Sequence, residues 1–87
     1  MGQDQVKEAV EHPDHYRTGK IECIDAIEDV VRNIPNGHHA FLTGQVLKYM
    51  WRWYFKHDSL QKRHEDLRKA RWYLDRLIKD VDPTPPF

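Results

Sequence analysis

The run Phe41-Leu42-Thr43-Gly44-Gln45-Val46-Leu47-Lys48-Tyr49-Met50-Trp51-Arg52-Trp53-Tyr54-Phe55-Lys56 decides the fold. At helical spacing, Leu42, Val46, Leu47, Tyr49, Met50, Trp51, Trp53, Tyr54 and Phe55 spread over roughly two thirds of the circumference. So wide an apolar arc needs neighbours on several sides, and two partner helices of one chain cover only about half of it. The stretch therefore predicts a central helix from about His39 to Lys56, assembled into a homo-oligomer. The remaining third carries Gln45, Lys48, Arg52 and Lys56. The three cations repeat every four residues and form one row about 12 Å long.

Outward from this helix the periodicity stays helical. Downstream, Asp58 or Ser59 is placed to cap a third helix reaching about Asp80, on which Leu60, Leu67, Ala70, Leu74, Leu77, Ile78 and Val81 share an arc. Upstream, Ile21, Ile24, Ile27, Val31 and Ile34 recur at steps of three and four, which predicts a helix from about Ile21 to Asn33, stopped by Pro35-Asn36-Gly37. No alternating strand pattern occurs. The expected fold is an all-α three-helix bundle over residues 12–81, preceded by a flexible arm at 1–11 and an extended segment around Pro13, and followed by a Pro-rich tail at 82–87.

Composition narrows the function classes. With 87 residues, 39% of them apolar, the chain has room for one core. One cysteine, Cys23, permits neither an internal disulfide nor a multi-cysteine zinc site, and its place among isoleucines marks it as a packing residue. The most apolar run, Tyr49 to Phe55, contains Arg52 and falls far short of the roughly 20 residues that span a bilayer, so a soluble, cytoplasmic protein with no membrane partner is expected. The formal charge of zero argues against a generic nucleic-acid coat. That average hides a division: residues 1–44 hold four basic and eight acidic side chains, and residues 45–79 hold ten basic and four acidic.

Charge rows on helices are commonly solvated faces, with long side chains snorkelling beside aromatics. A central helix changes the balance. Three like charges there repel unless an anion or carboxylates accompany them, and Gly44 one turn earlier allows a close approach. Phosphate suits such a row; Glu22 or Asp25 of the first helix would neutralise it equally well. Trp72 projects away from the apolar arc of its helix among cations, as a subunit-contact anchor or a platform for a nucleobase. The six histidines show no metal-ligand spacing. Glu22, Asp25 and Glu28 sit one turn apart, a spacing that recurs in all-α nucleotide pyrophosphohydrolases, but only Glu65-Asp66 offers a matching pair. Four glycines, at 2, 19, 37 and 44, write no phosphate-binding P-loop, so any phosphate chemistry must use side chains.

His12-Pro13-Asp14-His15-Tyr16, Gly19-Lys20-Ile21-Glu22-Cys23-Ile24-Asp25-Ala26-Ile27-Glu28, Phe41-Leu42-x-Gly44, Lys48-Tyr49-x-Trp51-Arg52 and Glu65-Asp66-Leu67-x-Lys69-Ala70-x-x-Tyr73-Leu74 form a specific combination. From about His12 to Ile78 the chain resembles the small bacteriophage domain-of-unknown-function family 3310, many of whose members are described as nucleotide kinases. The resemblance implies a phage-encoded nucleotide-binding protein that transfers phosphate to a deoxynucleoside monophosphate, with ATP and magnesium as cofactors. Matching polar residues are His15, Tyr16, Glu22, Lys48, Arg52, Asp66 and Lys69, and Lys56 extends the cationic row. On that basis Lys48, Arg52, Lys56 and Lys69 bind phosphates, Asp66 or Glu22 orients the attacking group or holds magnesium, and His15 with Tyr16 closes over the base. Two alternatives keep the same residues without catalysis: a protein that sequesters a nucleotide signal of host defence, and a module that binds a host protein through its aromatic surface.

Overall fold

The computed structural model describes residues 19–85. Helix α1 spans Cys23–Val31, α2 Gly37–Arg52 and α3 Leu60–Asp80, and no strand occurs among the described residues. The arm at 1–11 and the His12–Tyr16 segment lie outside the described residues. No described helix is long and apolar enough to cross a membrane.

Local chemistry sets each boundary. Glu22 is extended and makes no side-chain cap for α1, and the Ile34 N–H closes onto the Val31 carbonyl at 3.0 Å before Pro35, so α1 is shorter than its isoleucine pattern suggests. Asn36 caps α2, its side-chain oxygen accepting from the His39 N–H at 3.0 Å. Of the two candidate caps for α3, Ser59 does the work, accepting from the Lys62 N–H at 3.2 Å. α2 ends at Arg52 rather than Lys56. The Arg63 Nε–H donates to the Tyr54 carbonyl at 3.1 Å and the His57 carbonyl at 2.8 Å, holding these acceptors in a turn that a continuing helix would use.

Two antiparallel hairpins share α2. About Ser59, contacts are symmetric: His38 meets Asp80 at 2.9 Å and Arg52 meets Asp66 at 3.1 Å, each pair equidistant in sequence from that cap. About Pro35-Asn36, Ile27 lies against Gly44, and the Cys23 thiol lies in the field of Lys48. α2 is therefore central, as its sequence demands. Cys23, Leu42, Tyr49, Ala70 and Asp66 are the buried residues.

Burial departs from the sequence patterns on all three helices. On α1 the face meeting α2 follows Cys23, Ile27 and Val31, because the helix begins at Cys23; Ile21 and Ile24 are exposed. On α3 the inward face carries Arg63, Asp66, Ala70, Tyr73 and Leu77, while Leu60, Leu74, Ile78 and Val81 of the expected arc are exposed. The Arg52–Asp66 pair turns that helix about its axis. On α2 the third expected to face outward holds the half-buried Gln45, Lys48 and Arg52, whereas Phe41, Met50, Tyr54 and Phe55 are exposed.

A Cβ at Gly44 would meet the Ile27 Cγ2 at 3.4 Å, an ordinary contact. Glycine inside a helix costs about 1 kcal/mol against alanine. Gly44→Ala should therefore raise the free energy of unfolding by up to that amount, read as a higher urea midpoint, and Gly44→Phe should lower it by forcing α1 away.

Candidate functional site

The C-terminal half of α2 and the middle of α3 converge on Tyr49. Its ring stacks on Tyr73 at 5.9 Å between centroids with 14° between planes. Around the same ring stand three cations: Lys48 Nζ at 4.6 Å from the centroid, the Arg52 guanidinium carbon at 4.8 Å and Lys69 Nζ at 5.7 Å. The negative face of an aromatic ring attracts each of them. Their positions follow from the hairpin register, since Lys48 and Arg52 are one turn apart on α2 and Lys69 sits opposite Tyr49 on α3.

Asp66 anchors the group. It is 1% exposed, and its Oδ2 accepts from Arg52 Nε at 3.1 Å while its Oδ1 faces the second nitrogen of the fork at 3.4 Å. His57 Nε2 approaches Oδ2 at 3.2 Å from the α2–α3 turn, and Lys69 Nζ lies 3.9 Å from Oδ1. The sequence offered Glu22 or Asp25 as neutralising acids; the paired carboxylate is Asp66. Lys56 completes the cluster from just beyond α2. Partial desolvation, then the neighbouring Arg52, Lys69 and Lys48, hold its amine below the ordinary lysine value of 10.5, and Asp66 offsets only part of this. Among the described residues, four neighbouring cations therefore have beside them one carboxylate that is already engaged. Such an excess is stabilised by an added anion.

The other predicted residues fall as follows. His15 and Tyr16 lie outside the described residues. Glu22 occupies the N-cap of α1, next to Cys23. Burial pushes the Cys23 thiol up, with Lys48 opposing, which fits a packing residue. Trp72 is exposed, meets Tyr73 edge-on at 5.0 Å and has the Arg76 guanidinium 5.8 Å from its ring, on a face separate from the cluster. Two members escaped the sequence. Tyr49 was counted with the apolar arc, and His57 lies in a turn where no periodicity marks it; folding the chain about Ser59 would have set Asp66 against Arg52.

Magnesium held by this chain does not fit the described donors. Both Asp66 oxygens face cations, and no group of three His, Cys, Asp or Glu side chains suited to a metal ion occurs among the described residues. Fold and site together define a three-helix protein with a cationic cluster beside its central helix, half-buried at Lys48 and Arg52 and exposed at Lys56 and Lys69. A family model described as a protein of unknown function (DUF3310) matches residues 10–75, which include α1, α2 and every member of the cluster, and the chain belongs to that family. No curated protein and no solved structure matches it.

Removing Asp66 breaks its ion pair with the Arg52 cation, only 11% exposed at its side chain, in the neighbourhood of three like charges. Breaking a buried pair in this way costs about 3–5 kcal/mol. Asp66→Ala should lose about that much in urea unfolding, and Arg52→Ala less, since His57 and Lys69 still face the carboxylate.

Proposed function

We propose that this protein binds a nucleotide through its phosphates at the cluster of Lys48, Arg52, Lys56 and Lys69. The observation that carries the proposal is the gathering of positive charge beside Tyr49: Lys48, Arg52, Lys56 and Lys69 lie close together, and among the described residues Asp66, already engaged by Arg52 and His57, is the carboxylate set against them. Arg52 is the fixed member, oriented by Asp66. Lys48, Lys56 and Lys69 supply mobile heads that close on phosphate oxygens, and no described carboxylate pairs with Lys48 or Lys56. The nucleotide class comes from the resemblance to phage nucleotide-kinase-like proteins, which also supports a phage or prophage origin and a bacterial cytoplasmic setting.

Binding without phosphoryl transfer is the form of this function that the donor set favours, because Asp66 acts as a structural counter-ion and not as an available base. Transfer from ATP to a deoxynucleoside monophosphate remains the kinase alternative, drawing on His15 and Tyr16. Self-association belongs to the same proposal. Phe41 and Met50 of α2, Phe55 of the following turn, Leu60 and Ile78 of α3 and Val81 at its C-cap are exposed, apolar surface that a partner copy would cover.

Lys48→Ala should weaken binding of a deoxynucleoside monophosphate about tenfold to a hundredfold, as expected for losing one charge-assisted contact, with helical content unchanged; calorimetry checks this. Equal affinity in the variant and the parent would sink the proposal. Incubation with ATP, magnesium and dGMP or dTMP, followed by chromatography, should return the monophosphate unchanged; diphosphate product would establish the kinase alternative. A bound phosphate favours charged Lys56, so the amine titrates higher in the complex than in the free protein. Affinity should hold at neutral pH and fall as pH rises through the depressed free value of Lys56, below 10.5, and Lys56→Arg should shift that fall to higher pH.

A further inference from the structure

Beside the cluster, α1 and α2 enclose an open groove of about 410 Å³, lined by Ile27 and Val31 on one helix and by Gly37, Ala40, Phe41, Gly44, Gln45 and Lys48 on the other. That volume falls within the range of small-molecule sites, about 300–1,000 Å³. Its walls are apolar apart from two side chains. Lys48 closes one end and belongs to both the groove and the cation cluster; the Gln45 amide stands next to it, offering two donors and an acceptor.

We infer that the ligand is an organic phosphate ester with a flat, weakly polar body, and that this body lies in the α1–α2 groove while its phosphate is held at Lys48. The inference rests on the cluster being a phosphate site and adds the part of the ligand that the cluster does not touch. Phe41 and Lys48 are two turns apart on α2, so the groove extends about 10 Å from the ammonium to the ring. A nucleoside has a body of that reach. Phe41 is 55% exposed and offers ring surface for stacking, while a Cβ at Gly37 would meet nothing within 4 Å, which leaves the far end wide. Gln45 is placed to hydrogen-bond one edge of a planar heterocycle and so to select among bases.

Charge continuity favours this occupant over the alternatives. Inorganic polyphosphate would neutralise the cations and leave the apolar walls wet, and a nucleic-acid backbone needs a continuous basic track, whereas Lys48 is the one cation among the described residues that line the groove.

Pyrophosphate and nucleoside diphosphates share a headgroup and differ only in the body, so calorimetry on the full chain with both separates the two sites. At least one nucleoside diphosphate among those carrying adenine, guanine, cytosine and thymine should bind about tenfold or more tightly than pyrophosphate. Gln45→Leu, which keeps the volume, should lower that preference and flatten discrimination between bases while pyrophosphate affinity holds. Phe41→Ala should bring nucleoside diphosphate and pyrophosphate affinities together. Pyrophosphate binding with no added affinity from any nucleoside overturns this inference and leaves the phosphate site standing. Failure of both probes to bind overturns the phosphate site and this inference with it. If Phe41→Ala changes the size of the assembly but not the preference for nucleoside diphosphate, the groove is an interface between copies and the inference is wrong.

Discussion

Asp66 is the charge on which the arrangement depends. A carboxylate 1% exposed is sustainable only with partners in place, and here Arg52 of α2, His57 of the connecting turn and Lys69 of its own helix supply them. That one requirement fixes several others. It sets the register of the α2–α3 hairpin, brings the α2–α3 turn inward and rotates α3 so that Ala70 and Tyr73 face α2 while part of its leucine arc faces out. The polar contact wins over the apolar pattern because an unpaired buried carboxylate costs more than leaving a few aliphatic side chains in water.

The same requirement produces an unusual partition on α2. Its cations are turned toward the other helices, and several of its aromatics are turned away. Arg52 is neutralised, but Lys48, Lys56 and Lys69 are gathered around it with no second described carboxylate among them, so the fold concentrates positive potential at the place where three elements meet. A site built in this way suits a polyanion small enough to enter it, and the adjoining groove gives such a ligand somewhere to lay its less polar part.

The helices themselves were legible because long runs of period 3.6, a proline-asparagine-glycine stop and a serine cap act locally. Centrality of α2 was legible from its composition. Which side of α2 faces inward was not, since a helical wheel assigns water to cations and core to aromatics, and the Arg52–Asp66 pairing reverses that assignment across fourteen residues of sequence. Tyr49 was legible as a buried ring but not as a support for cations, because its role comes from side chains on two helices. The early end of α2 depends on Arg63 reaching two carbonyls, a contact that no spacing rule encodes. Lys48, Arg52 and Lys56 stood out by their four-residue repeat, and Lys69 entered only through family resemblance.

The two hairpins that share α2 also bear on how the chain assembles. Every helix packs against its neighbour in sequence, so closure needs only short loops, and the entropic barrier to folding is low for a chain of this kind. Burial of the Asp66 carboxylate and arrival of the Arg52 guanidinium are then parts of one event, since both lie close to the Ser59 pivot. Nascent chains of this type avoid a lingering half-formed intermediate in which an acid is dehydrated before its base arrives.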